Sequence, residues 1–149
     1  MQERPWALKV LRFLVPITAL VLVIQYIAGL GTNVYAPSGG FNDNTDFGWL
    51  NLHYTVGDVV GILAILLVIV AVFTARAALI GNSAGVLLGV LIAGFAGSAF
   101  VSTNNPVDSI VMGIGFLIAF GGSVALAFRV MAAAPSPGTS KAPVASIAT

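Results

Sequence analysis

The chain has 149 residues, of which 58% are hydrophobic and only 7% are charged, and its mean hydropathy is +1.04. About a quarter of the residues of a soluble domain are charged, so this composition excludes a soluble enzyme and indicates a membrane protein. The net charge of +1 comes without the basic stripe that nucleic-acid binding needs, and the absence of cysteine excludes disulfides, thiolate metal sites and iron–sulfur clusters.

Four stretches of the chain are long and apolar enough for a transmembrane helix, which needs about 20 mostly apolar residues. They cover roughly residues 13–30, 52–75, 84–101 and 107–131. The first has no Ala-x-Ala cleavage site, which indicates a retained helix, and Pro16 falls in its first turn, where proline is tolerated. We therefore expect an all-α fold, a membrane four-helix up-down bundle that forms a single domain over residues 1–131.

The distribution of basic residues predicts the orientation of these spans. All six flank the spans on one side, namely Arg4, Lys9, Arg12, Arg76, Arg129 and Lys141. Because short cytoplasmic loops hold the excess of Lys and Arg, we expect a multi-pass protein of the cell membrane with both termini in the cytoplasm. The loop over residues 31–51 then lies outside. Residues 132–149, rich in Pro, Ser, Thr and Ala, are expected to form a disordered cytoplasmic tail.

Small residues at four-residue spacing indicate where the helices approach each other, because helices in lipid pack closely only where side chains are small. The third span carries the longest such stripe, the fourth a shorter one, and the second begins with two glycines. We expect helix contacts at Gly57, Gly61, Gly81, Gly85, Gly89, Ala93, Gly97, Gly115, Ala119 and Ser123. The alternative is that a glycine face makes room for a flat ligand such as a porphyrin or a quinone.

The start of the fourth span has the pattern of a helix cap. Asn105 stands at the N-cap, Pro106 at the first helical position and Asp108 at the third, where a carboxylate meets the positive end of the helix dipole. This pattern explains Asp108 without any chemistry, and ion capture is the alternative. Tyr54 and Asp58 are four residues apart and share a face of the second span, so these two residues with Asn105 and Asp108 form a possible polar site.

His53 is the only histidine and stands at the outer end of the second span. A haem bound there would need a second axial ligand, for which Met112 in the fourth span is the candidate sulfur. Gln25 in the first span is polar but cannot titrate, so we find no partner for a proton relay. No catalytic set and no metal-ligand cluster is present.

Three segments carry a family resemblance: QYIAGLGTNVY over Gln25 to Tyr35, LHYTVGDVVG over Leu52 to Gly61, and GFAGSAFVSTNNPVDSIVMG over Gly94 to Gly113. They resemble a family of small, uncharacterised bacterial four-span integral membrane proteins, whose layout is similar to small b-type cytochrome bundles. The resemblance implies a histidine at the head of span two, which His53 matches. It implies a second histidine just before span four, where this chain has Asn105 or its neighbour instead.

The leading hypothesis is a non-enzymatic integral membrane protein without a cofactor, a scaffold or accessory subunit of a membrane assembly. Its expected partners are the lipid bilayer and other membrane subunits or copies of itself, and not nucleic acid. One alternative is a redox module that binds haem b or a quinone near the outer leaflet through His53 and Met112. A weaker alternative is a small transporter or channel subunit that uses Asp58 and the polar residues 102–105.

Overall fold

The computed structural model describes residues 4–34 and 47–133, which contain four helices and no strand. These are α1 (Pro5–Val34), α2 (Phe47–Val72), α3 (Ala77–Thr103) and α4 (Pro106–Ala132). Each is long and apolar enough to cross a membrane. The predicted all-helical class and the predicted number of long apolar helices are confirmed. Most of the predicted outer loop and the tail beyond residue 133 lie outside the described residues.

The first helix begins well before the apolar stretch that predicted it. It starts at Pro5, which takes the first helical position, so Pro16 lies inside α1 and not in its first turn. The added turns form because one side of them is apolar: Ala7 and Leu11 are fully buried, while Lys9 on the opposite side is exposed. A window that counts only continuous apolar residues misses such an amphipathic extension.

The four helices form a ring in which each contacts its two neighbours. Helix α1 contacts α2 and α4, and α3 contacts α2 and α4, whereas no Cα atoms of α1 and α3, or of α2 and α4, lie within 8 Å of each other. A large apolar cluster fills the half of the ring nearest the α2–α3 turn, with Leu11, Leu67, Val86 and Leu126 at its centre. The other half holds a smaller cluster of three buried residues, Leu22, Val60 and Ala119.

Short polar contacts join the helices at the end of the ring that carries the basic residues. The main-chain N–H of Arg4 donates to the carbonyl of Phe73, just beyond α2, at 3.1 Å. The guanidinium of Arg12 donates to the carbonyl of Ala133 at 2.8 Å, which gives a partner to a carbonyl at the end of α4. Between α2 and α3 the chain turns through Ala75, whose φ is 55°. These contacts hold the beginning of α1 beside the ends of α2 and α4.

Candidate functional site

A polar pair lies between α1 and α2 in the less filled half of the bundle. The side-chain amide nitrogen of Gln25 is 3.3 Å from Nε2 of His53, which is a hydrogen bond if the ring accepts at Nε2. That tautomer places the ring proton on Nδ1. Both His53 Nδ1 and Gln25 Oε1 are buried and have no hydrogen-bond partner among the described residues. From the sequence, Gln25 was considered only as a polar group that cannot titrate. In the structure its side chain contacts the single histidine.

Two glycines make room for this pair. A Cβ at Gly29 would stand 3.1 Å from Cε1 and 3.3 Å from Nδ1 of His53, and one at Gly57 would stand 3.2 Å from the amide nitrogen of Gln25. Each glycine lies four residues from the member of the pair on its own helix. The sequence signal for the pair was therefore a glycine one turn beyond a polar residue, on each of two spans.

The haem ligands suggested by the sequence do not lie opposite one another. Both ring nitrogens of His53 are directed at α1, where Nε2 meets Gln25 and Nδ1 lies against Gly29. The sulfur of Met112 packs on α3, 3.1 Å from the position of a Cβ at Gly97. An axial ligand must present a free nitrogen or sulfur to the iron. In this arrangement His53 and Met112 do not fit an axial pair, and no redox step follows from them.

The remaining polar candidates lie in two places, near the beginning of α2 and between α3 and α4. Tyr54 and Asp58 are both exposed, and neither makes a hydrogen bond or ion pair with another described residue. Asn105 is the N-cap of α4 and accepts from the main-chain N–H of Val107 at 3.0 Å. Asp108 accepts from the hydroxyl of Thr103 at 2.9 Å, so its carboxylate reaches back to the end of α3. The structure explains Asn105 and Asp108 as a cap that joins α3 to α4.

Glycines allow the main chains of α3 and α4 to come into direct contact. A Cβ at Gly89 would stand 2.7 Å from the carbonyl oxygen of Gly115 and 3.0 Å from Cα of Ala119. A Cβ at Gly115 would stand 2.8 Å from the carbonyl oxygen of Gly89 and 3.0 Å from Cα of Ala93. The backbones therefore touch at this crossing, because neither glycine carries a side chain.

Other members of the predicted stripes take different places. Ser123 is fully buried and donates to the carbonyl of Ala119 at 2.9 Å. Around Gly61, Gly81 and Gly85 no atom of another described helix lies within 4 Å of the position of an added Cβ. These three glycines face open space and do not form close contacts between the described helices. One helix contact was not predicted. A Cβ at Gly122 of α4 would stand 3.1 Å from a side-chain methyl of Val86 on α3.

The comparisons with known proteins found no relative of this chain. No family model, no curated protein and no solved structure matches the chain. The resemblance to small bacterial four-span proteins stays a prediction, supported only by the presence of four apolar helices. Among residues 4–34 and 47–133 no group of three His, Asp or Glu side chains could hold a metal ion.

Proposed function

We propose that this protein is a non-enzymatic multi-pass protein of the cell membrane that acts as a scaffold by associating with itself. In this proposal the four helices cross the bilayer in up-down order, with the N and C termini in the cytoplasm. The orientation is supported by the five described basic residues, which sit at the ends of helices that meet near the α2–α3 turn. Short cytoplasmic segments are the ones enriched in Lys and Arg.

The observation that carries the proposal is the open glycine pair of α3. Gly81 and Gly85 form a Gly-xxx-Gly motif, and an added Cβ at either one meets no other described helix within 4 Å. Ala84 between them is exposed. The same helix uses a different glycine, Gly89, for its contact with α4. The intramolecular packing of α3 therefore leaves Gly81 and Gly85 unused.

A second copy is the occupant that this face suits best. Lipid tails are as apolar as leucine, so burying apolar side chains does not drive helices together in a bilayer. Association depends instead on backbones that approach closely, which a Gly-xxx-Gly pair permits. The same patch on two copies is self-complementary about a two-fold axis, which is the commonest symmetry of oligomers. A dimer built in this way would leave the α3–α4 crossing at Gly89 undisturbed.

Cysteine crosslinking in the native membrane tests this proposal, because the chain contains no cysteine of its own. We expect Ala84→Cys to form a disulfide-linked dimer on mild oxidation. Adding Gly85→Leu to that variant should lower the dimer yield about tenfold, since the leucine holds the backbones apart. The monomer should stay folded, because an added Cβ at residue 85 has no described atom outside its own helix backbone within 4 Å.

The matched control is Val124→Cys, an exposed position on α4. Gly122 of α4 lies against Val86 of α3, so Val124 and Ala84 are at similar depth. Equal crosslinking of the two cysteine variants would indicate random collision in the membrane. That result, or a dimer that persists with Gly85→Leu, would contradict self-association through α3.

A further inference from the structure

Cationic and aromatic side chains lie together where the start of α1 meets the end of α2, and they form what we call the corner. The Arg4 guanidinium lies over the ring of Phe73, with its carbon 5.8 Å from the ring centre. The ring of Trp6 packs on the same phenylalanine, with the ring centres 5.5 Å apart. The Arg4 backbone is fixed by its hydrogen bond to the carbonyl of Phe73. The N–H groups of a guanidinium lie in its own plane, so a guanidinium over an aromatic face can still donate to an anion at its edge.

An exposed apolar stripe runs along α1 away from this corner. Trp6, Val10, Phe13 and Ile17 follow the spacing of one helix face, and Phe13 is 73% exposed. By helix rise the distance from Trp6 to Ile17 is about 16 Å, close to the ~15 Å of one leaflet of the hydrocarbon core. The stripe is therefore as long as one acyl chain of a phospholipid.

The described charges near Trp6, where the stripe begins, are all positive, and Glu3 lies outside the described residues. Lys9, which is exposed, follows Trp6 by three residues and so lies on nearly the same side of α1 as Arg4 and the aromatic pair. The described acidic residues, Asp58 and Asp108, belong to the other end of the bundle. No described carboxylate competes with an incoming anion at this corner.

We propose that this corner is a binding site for one anionic phospholipid. The phosphate of the headgroup meets Arg4 and Lys9, and an acyl chain lies along Val10, Phe13 and Ile17. Charge and shape select the occupant together. A zwitterionic lipid fits the stripe equally well but carries no net charge for the two cations, and a soluble anion gains nothing from the stripe.

Fluorescence quenching by brominated lipids tests the site directly, because the two tryptophans, Trp6 and Trp49, mark opposite ends of the bundle. The protein carrying Trp49→Phe is reconstituted in phosphatidylcholine vesicles that contain brominated phosphatidylglycerol. We expect phosphatidylglycerol to quench Trp6 more than its share of the bilayer predicts. In the reciprocal Trp6→Phe protein, quenching of Trp49 should follow the bulk composition.

Substitution of the cations separates a site from general attraction to a positive surface. Arg4→Gln and Lys9→Gln should each lower the preference for phosphatidylglycerol at Trp6 by roughly fivefold at low salt. The matched control is Arg129→Gln, which removes the same charge from α4 and should leave the preference unchanged. An equal loss with Arg129→Gln would overturn the site, as would quenching of Trp6 at the bulk level. Loss of the preference on adding inorganic phosphate would show a phosphate-ion site instead and would also overturn the proposal.

Discussion

Gly89→Leu is expected to lower the free energy of unfolding by about 3 kcal/mol, the largest effect that we expect of any single substitution. The reason is that the new side chain meets main-chain atoms and not the ends of flexible side chains. A Cβ at this position already stands 2.7 Å from the carbonyl oxygen of Gly115, so α3 and α4 must separate. Thermal unfolding in mild detergent, followed by circular dichroism, measures the loss.

The matched control for this substitution is Gly94→Leu on the same helix. Gly94 is exposed, and no atom of the described neighbouring helices lies within 4 Å of an added Cβ there, so this variant should unfold within about 0.5 kcal/mol of the parent protein. Both variants replace glycine by the better helix former leucine, so intrinsic propensity does not separate them. Equal stability of the two variants would show that the α3–α4 crossing is not at Gly89.

The number of helices could be predicted from sequence because hydropathy is a local property of the chain. The N-cap at Asn105 could be predicted for the same reason, since a cap forms within one turn. The start of α1 was missed because Lys9 and Arg12 interrupt the apolar run, although Ala7 and Leu11 close to them are buried. Local signals thus give the existence of an element better than its ends.

The contacts between helices could not be read from the glycine stripe alone. The stripe gives a helix face, but it does not say at which level a neighbouring helix crosses that face. Gly85 and Gly89 are one turn apart in the same stripe, yet only Gly89 meets α4. The crossing level depends on the register between helices, which is set by packing along their whole length.

The pairing of Gln25 with His53 was hidden for a related reason. The sequence places His53 beside Tyr54 and, one turn on, Asp58, so neighbours on its own helix suggested themselves as partners. The structure directs the ring at α1, while Tyr54 and Asp58 are exposed. A short hydroxyl such as that of Ser123 can donate to a carbonyl of its own helix, whereas the longer side chains of Gln25 and His53 reach across to the neighbouring helix.

Gly29→Leu is expected to lower the free energy of unfolding by about 2 kcal/mol, because its side chain takes space now held by the imidazole of His53. An added Cβ there stands 3.1 Å from the ring, which is tight, and the rest of a leucine would push α1 away from α2. The amide of Gln25 would then lose its contact with Nε2. Unfolding by denaturing detergent measures this loss, with Gly113→Leu as the control, because Gly113 on α4 is exposed and an added Cβ there has no atom of the described residues within 4 Å.

A second substitution shows whether the loss comes through the ring. His53→Ala alone removes the hydrogen bond to Gln25 and opens a void, but in the Gly29→Leu background it also removes the group that the leucine strikes. We therefore expect the double variant to be more stable than the sum of the two single losses implies, by about 1 kcal/mol. Strict additivity would mean that Gly29 does not make room for His53. A positive coupling would place the polar pair at the α1–α2 contact, since two side chains that do not touch rarely relieve each other's strain.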